Sequence, residues 1–124
     1  MQNKVYLNDK GIIVIEVMSD QDESSVEQMG YKINTLITEQ RRLGKPSLLL
    51  DNVLSIGAVG PEARKLVVQL AKTLDYDRAA LVGKGGLMRF GTTLMLRATG
   101  RSNKVRYFED INQAQNWLLQ ATSD

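Results

Sequence analysis

Few residues in this 124-residue chain could do chemistry, and their types narrow it quickly. Histidine and cysteine are both absent, which removes the commonest general base, thiol catalysis, disulfides and thiolate metal sites. What remains is Asp, Glu, Lys, Arg, Ser and Tyr. Asp51 ends the apolar run Leu48-Leu49-Leu50 and stands before Asn52, Ser55, Gly57, Gly60 and Glu62. In an open α/β sheet, the carboxyl end of such a strand is where ligands and partners dock. Gly83-Lys84-Gly85-Gly86 lies between a strand and a helix, where free N–H groups and the helix dipole attract anions. It meets neither the P-loop spacing nor G-x-G-x-x-G, since Met88 stands where the third glycine is needed. Asp75 and Asp77 sit in a turn and form no acid/base pair without a pocket to shift their pKa values. No complete catalytic constellation, metal-ligand set or cofactor motif is present. The expectation is a chain that is not an enzyme.

Charge points the same way. A net charge of +2 is too small to imply nucleic acid. Five acids (Glu16, Asp20, Asp22, Glu23, Glu27) crowd one stretch without a base. Seven bases (Arg78, Lys84, Arg89, Arg97, Arg101, Lys104, Arg106) occupy another without an acid. These runs read either as two solvated faces of opposite bias or as a basic surface for an acidic partner. No apolar run approaches the roughly 18 residues of a transmembrane helix. The start of the chain lacks the apolar core of a signal peptide, so a cytoplasmic protein is expected.

The elements that must position these residues follow from periodicity. Strands are expected at 4–7 and 11–17, joined through Asn8, Asp9 and Gly11, residues that supply a tight turn. The second strand is nearly continuous in Ile and Val, as an inner strand is; the first is an antiparallel edge. Ser24 with Glu27 matches a capping box for a helix of about five turns. Its stripe is Val26, Met29, Ile33, Leu36, Ile37 and Gln40, and Gly44 stops it. A strand at 47–51 leads to a loop at 52–60, then a helix opening on Pro61 and Glu62, with Ala63, Leu66, Val67, Leu70 and Leu74 inward. A strand at 78–83, a helix at 87–99, a half-exposed strand at 104–108 and a last helix capped by Asp110 complete the order. Ile111, Ala114, Trp117 and Leu118 form the last stripe. The order ββαβαβαβα predicts an α/β fold: one mixed, mostly parallel sheet with helices packed on it. Residues 1–124 read as a single domain.

The element order, the acidic strand end Leu48-Leu49-Leu50-Asp51, the small-residue loop after it and the terminal Gln113-Ala114-Gln115-Asn116-Trp117-Leu118 helix resemble SpoIIAA-like proteins. These belong to the STAS domain group, related in fold to the Sec14 lipid-binding domain. The resemblance runs from about Tyr6 to Leu119. It implies a non-enzymatic regulatory module that binds a protein partner, and self-association into a homodimer. In anti-sigma-factor antagonists of this group an Asp ends the strand, and an Asp-Ser-Ser-Gly run opening the next helix carries the serine that a kinase phosphorylates. Asp51 matches the strand-end acid. Val59, Gly60 and Pro61 occupy the helix opening, and Ser55, the only hydroxyl in the loop, comes several residues too early. The implied module therefore lacks the usual phosphoserine switch. Its partner-binding loop is expected to comprise Asp51, Asn52, Ser55, Gly57, Gly60 and Glu62, with the Asp51 carboxylate ordering the loop by accepting its backbone N–H groups. The alternative is a Sec14-like groove for a small apolar or acyl-type ligand. It would lie against Met88 and Met95 of the Met-rich third helix, with the acidic head held by Lys84 or Arg89.

Overall fold

The chain enters its sheet through a side-chain-locked turn. Asn8 Oδ1 accepts from Lys10 N at 2.9 Å and from Ile12 N at 3.0 Å, and Gly11 takes φ +80°, a left-handed conformation that glycine adopts freely. β1 (Lys4–Leu7) and β2 (Ile12–Gln21) are thereby set antiparallel. The computed structural model describes residues 2–86, 100, 101 and 103–120. Across these run α1 (Glu23–Arg42), β3 (Leu48–Val59), α2 (Pro61–Thr73), β4 (Arg78–Val82), β5 (Val105–Phe108) and α3 (Ile111–Gln120). The five strands form one sheet in the order β1-β2-β3-β4-β5, with every pair beyond the first parallel. This is the mixed α/β sheet expected from the sequence. The helix expected at 87–99 lies outside the described residues.

Alternation along the inner strands divides the core into two layers. Ile13, Ile15 and Val17 of β2, Leu49 of β3, and Ala79 and Leu81 of β4 pack beneath α1 and α2. Ile12, Val14, Leu48, Leu50, Ala80 and Val82 face the other way, against Ala114 and Leu118 of α3. With both faces covered, residues 12–15 of β2 and 79–82 of β4 are unbroken apolar runs. Ile111, assigned to the buried stripe of the last helix, is instead exposed at its first position. Trp117 is half-buried at the edge of the second layer, 5.7 Å from Phe108.

The start of α1 differs from the sequence expectation by two residues. Asp22, not Ser24, is the N-cap: its carboxylate accepts from Ser25 N at 2.8 Å while Ser25 Oγ accepts from Asp22 N at 3.0 Å. A short acidic side chain caps as well as a hydroxyl, and Ser25 closes the reciprocal box. At the other end Lys45 N donates to Gln40 O and Gly44 N, with φ +71°, donates to Arg41 O, the Schellman pattern.

The adjacent acids Asp75 and Asp77 serve architecture. Arg41 lies 3.0 Å from Asp77 Oδ2 and 3.4 Å from Asp75 Oδ2, and Asp77 Oδ2 also accepts from Ser47 N at 2.8 Å. The clamp ties the end of α1 to the entries of β3 and β4. Desolvation works against the charged form of Asp77, but the Ser47 N–H and the Arg41 guanidinium together hold its carboxyl below its ordinary value. A depressed folded-state pKa contributes stability above the unfolded-state value that is lost as pH falls through the folded one. Asp77→Asn is therefore expected to remove part of the acid-side loss of stability, read as the urea midpoint between neutral pH and pH 3.

Several members of the basic run are likewise engaged by neighbouring groups of the chain. Arg78 donates to Trp117 O at 2.9 Å and lies 4.6 Å from the centre of its ring. Arg101 donates to Leu74 O and covers Tyr76, and Arg106 covers Phe108. These three stack on aromatic faces; Arg78 and Arg101 are half-buried, while Arg106 stays exposed.

Candidate functional site

The segment expected to be a loop at 52–60 is mostly strand. β3 runs to Val59 because β2 also runs past Val17, to Gln21, and supplies a neighbour: Met18 pairs with Ser55, Ser19 with Ile56 and Gln21 with Val59. Between Asn52 and Ser55, and again between Ile56 and Val59, β3 advances three residues for two of β2. These are two β-bulges. They change the side-chain period: Val53, Ile56 and Val59 turn inward against the first core layer, while Leu54, Ser55, Gly57 and Ala58 are exposed.

Polar contacts from β2 pin this extension. Asp20 Oδ1 accepts from Ala58 N at 2.8 Å, and Gly60 N donates to Gln21 O at 3.3 Å. Asn52 Oδ1 accepts from Leu54 N at 3.0 Å, a local Asx turn at the first bulge. Gly57 is required by the fit: a Cβ there would stand 2.2 Å from Asp20 Oδ1 and 3.0 Å from Asp20 N. The end of β2 is itself held by Gln21, which is buried. Its amide nitrogen donates to Met18 O at 2.7 Å and its oxygen accepts from Asn3 Nδ2 at 2.7 Å and Ser25 Oγ at 2.9 Å. Asn3 Oδ1 in turn accepts from Met18 N at 2.7 Å. Sequence reasoning missed this knot; the signal was a polar Gln21 directly before the α1 cap, too long a side chain for a turn.

Asp51 has a different role from the one expected. It lies within β3, flanked by Ile15 and Leu81. Its Oδ1 is shut off from solvent with no hydrogen-bond partner among the described residues. Burial pushes the carboxyl up to about 7. Among the described residues the N–H of Ala58 in the extension is taken by Asp20. Eight residues of strand separate Asp51 from Gly60, roughly 25 Å of chain path, so the structure does not bring Asp51 together with the helix opening.

What the structure does bring together is the outward face of the extension and the start of α2. Gly60 is the N-cap of α2 without a side-chain cap, and Pro61 fills the first position. Glu62 is exposed in the first turn, 3.6 Å from Lys65 Nζ. Ala63 is buried, but Leu66, Val67 and Leu70 are only partly covered. α2 packs on α1, and Gly30 permits the approach: a Cβ there would lie 2.9 Å from the Leu70 methyls.

The glycine turn after β4 is separate. Lys84 is exposed, and Gly85, at φ +96°, directs its N–H toward Glu109 Oε2 at 3.5 Å. A carboxylate of the chain itself faces the turn that had invited an anion. Met88, Arg89 and Met95, named for the apolar-ligand groove, lie outside the described residues. Surface concavities elsewhere include one of about 240 Å³ beside Asn3, Gln21 and Lys32, away from Lys84. Among the described residues no cluster of acids is arranged to hold a metal ion, and no helix is long and apolar enough to cross a membrane.

A mixed five-stranded sheet with α1 and α2 on one face and α3 on the other defines a STAS-type fold. The model of the SpoIIAA-like family matches residues 12–119, and the chain belongs to that family. Among solved structures it is similar to an uncharacterised DUF3478-family protein with a SpoIIAA-like fold from Shewanella loihica PV-4. That match has a TM-score of 0.65 at 17% identity and covers 94% of this chain and 91% of the other. It is also similar to the anti-sigma factor antagonist SpoIIAA in its unphosphorylated form, with a TM-score of 0.64 at 14% identity, covering 98% and 99%. No curated protein matches the sequence.

Proposed function

We propose that the chain is a non-enzymatic regulatory module, acting in the cytoplasm, that binds a protein partner through the outward face of β3 beyond Asn52 and the first turn of α2. The observation that carries this reading is the β3 extension itself. It holds Leu54, 45% exposed, with Ser55, Gly57 and Ala58, in a fixed strand beside the incompletely covered stripe of α2. Apolar surface held in a rigid scaffold suits a protein interface better than it suits a solvated edge. The regulatory character fits the fold shared with an anti-sigma factor antagonist. A phosphoserine switch does not fit. A phosphate is stabilised at a helix N-terminus, and Ser55 lies on the strand, five residues before the Gly60 cap. Affinity capture from the native cell tests the reading. Leu54→Asp and Glu62→Lys are expected to lose the partner that wild type retains, whereas Tyr31→Asp, altering a side chain 76% exposed on α1, keeps it. Equal capture by all variants, with unchanged circular dichroism, would refute the reading.

A further inference from the structure

The surface formed by the β3 extension and the start of α2 is unevenly charged, because the end of β2 and the start of α1 run along one side of it. Gln21 pairs with Val59, Gly60 N donates to Gln21 O at 3.3 Å, and Asp20 Oδ1 accepts from Ala58 N at 2.8 Å. Asp20, Asp22 and Glu23, all exposed, therefore stand beside Ala58, Gly60 and Pro61. Glu62 approaches from α2. Glu62, Leu66 and Leu70 follow at intervals of four and share a stripe. Leu70 packs on Gly30 of α1, so Glu62 lies on the side of α2 that faces α1. Glu23 precedes Gly30 by about two full turns and shares its side of α1. The two helices begin at the same end of parallel strands, which sets Glu23 and Glu62 at one opening.

The nearby bases do not neutralise this rim. Lys65 lies 3.6 Å from Glu62, but Arg64 and Lys32 project about 200° round their helices from Glu62 and Gly30 respectively. Among the described residues Asp20, Asp22 and Glu23 join no ion pair. An acid in the first turn of a helix complements its dipole, which accounts for Asp22, Glu23 and Glu62 taken singly. Asp20 belongs to no helix, and the four together make the field over Ala58 and Gly60 negative. The strand they border, from Leu54 to Val59, carries no charge of its own. We propose that the occupant of this surface is a basic segment of a partner protein, with an apolar side chain on Leu54 and Ala58 and flanking Lys or Arg side chains facing Asp20, Asp22, Glu23 and Glu62. This rests on the reading of the β3 extension as a docking surface and names the chemistry of what docks there.

Two short capped peptides, one of alternating leucine and lysine and one of alternating leucine and glutamate, test the charge on the purified full chain. With amide shifts followed by nuclear magnetic resonance, the basic peptide is expected to move residues 20–23 and 54–62 and to leave Lys10 and Tyr31 in place. Its affinity should fall roughly tenfold in the double variant Glu23→Gln, Glu62→Gln, and fall again as salt is raised. Three results would each overturn the proposal: no shift at residues 54–62 with about 1 mM basic peptide, equal binding of the acidic peptide, or an affinity unchanged in the double variant with unchanged circular dichroism. Capture in cells that still depends on Leu54 while the basic peptide fails would retain the docking surface and remove its basic partner. Equal capture by all variants would remove the docking surface itself.

Discussion

Asp51→Asn is expected to stabilise the protein at pH 8 and to have little effect, or a small cost, at pH 4. The carboxyl sits between Ile15 and Leu81, with one oxygen buried and without a hydrogen-bond partner among the described residues, and desolvation raises its pKa to about 7 against an ordinary 3.8. The native state thus holds a proton that the unfolded chain releases. Its stability is fully present below the unfolded-state value and is lost as pH rises from about 4 through about 7. At about 1.4 kcal/mol per pH unit, that interval caps the loss at about 4 kcal/mol. An amide has no charge to desolvate, yet it brings its own unpaired polar atoms at a cost of about 1–3 kcal/mol. The net gain at pH 8 should be about 1–2 kcal/mol, read from urea midpoints at several pH values. A wild-type-to-variant difference that stays constant from pH 4 to pH 8 would show that the Asp51 carboxylate is paired and that its burial carries no charge penalty.

Gly57→Val should destabilise the protein by about 2–3 kcal/mol, with the damage confined to the extension. The added Cβ would lie 2.2 Å from Asp20 Oδ1 and 3.0 Å from Asp20 N and Ser19 C. Rotating the Asp20 side chain relieves only the first contact and breaks the bond to Ala58 N; the other two are backbone. Asp20→Ala alone, which loses one charge-assisted bond, should cost about 1–2 kcal/mol. Hydrogen exchange separates the effects: amides 53–59 should lose protection in Gly57→Val while those of Leu48–Leu50 keep it. Uniform loss of protection would mean that the extension is not an independent unit.

The layout of the fold was legible because its inner strands and helix stripes keep regular periods. Ile12 to Val17 reads as a strand buried on both faces, and Val26, Met29, Ile33 and Ile37 read as a helix face; each packs accordingly. The candidate site was less legible because two bulges replace the strand period of two with a period of three. Val53, Ile56 and Val59 point inward, yet their spacing among small residues reads as a loop. The strand also depends on β2 continuing through Met18 to Gln21, where the polar Ser19, Asp20 and Gln21 conceal it and Ser19 adopts φ +56°. Asp51 stands out in the sequence as a carboxylate at the end of an apolar run, but the strand continues beyond it to Val59, which places it within the sheet.

The claim that the β3 extension and the opening of α2 form the partner surface is tested most directly by placing a photo-cross-linking amino acid at one exposed position at a time in the native cell. Leu54, Ser55, Ala58 and Glu62 should each trap the same partner protein, whereas Lys10 and Tyr31 should trap none. Equal yields at all six positions, or a partner trapped only at Lys10 or Tyr31, would contradict it.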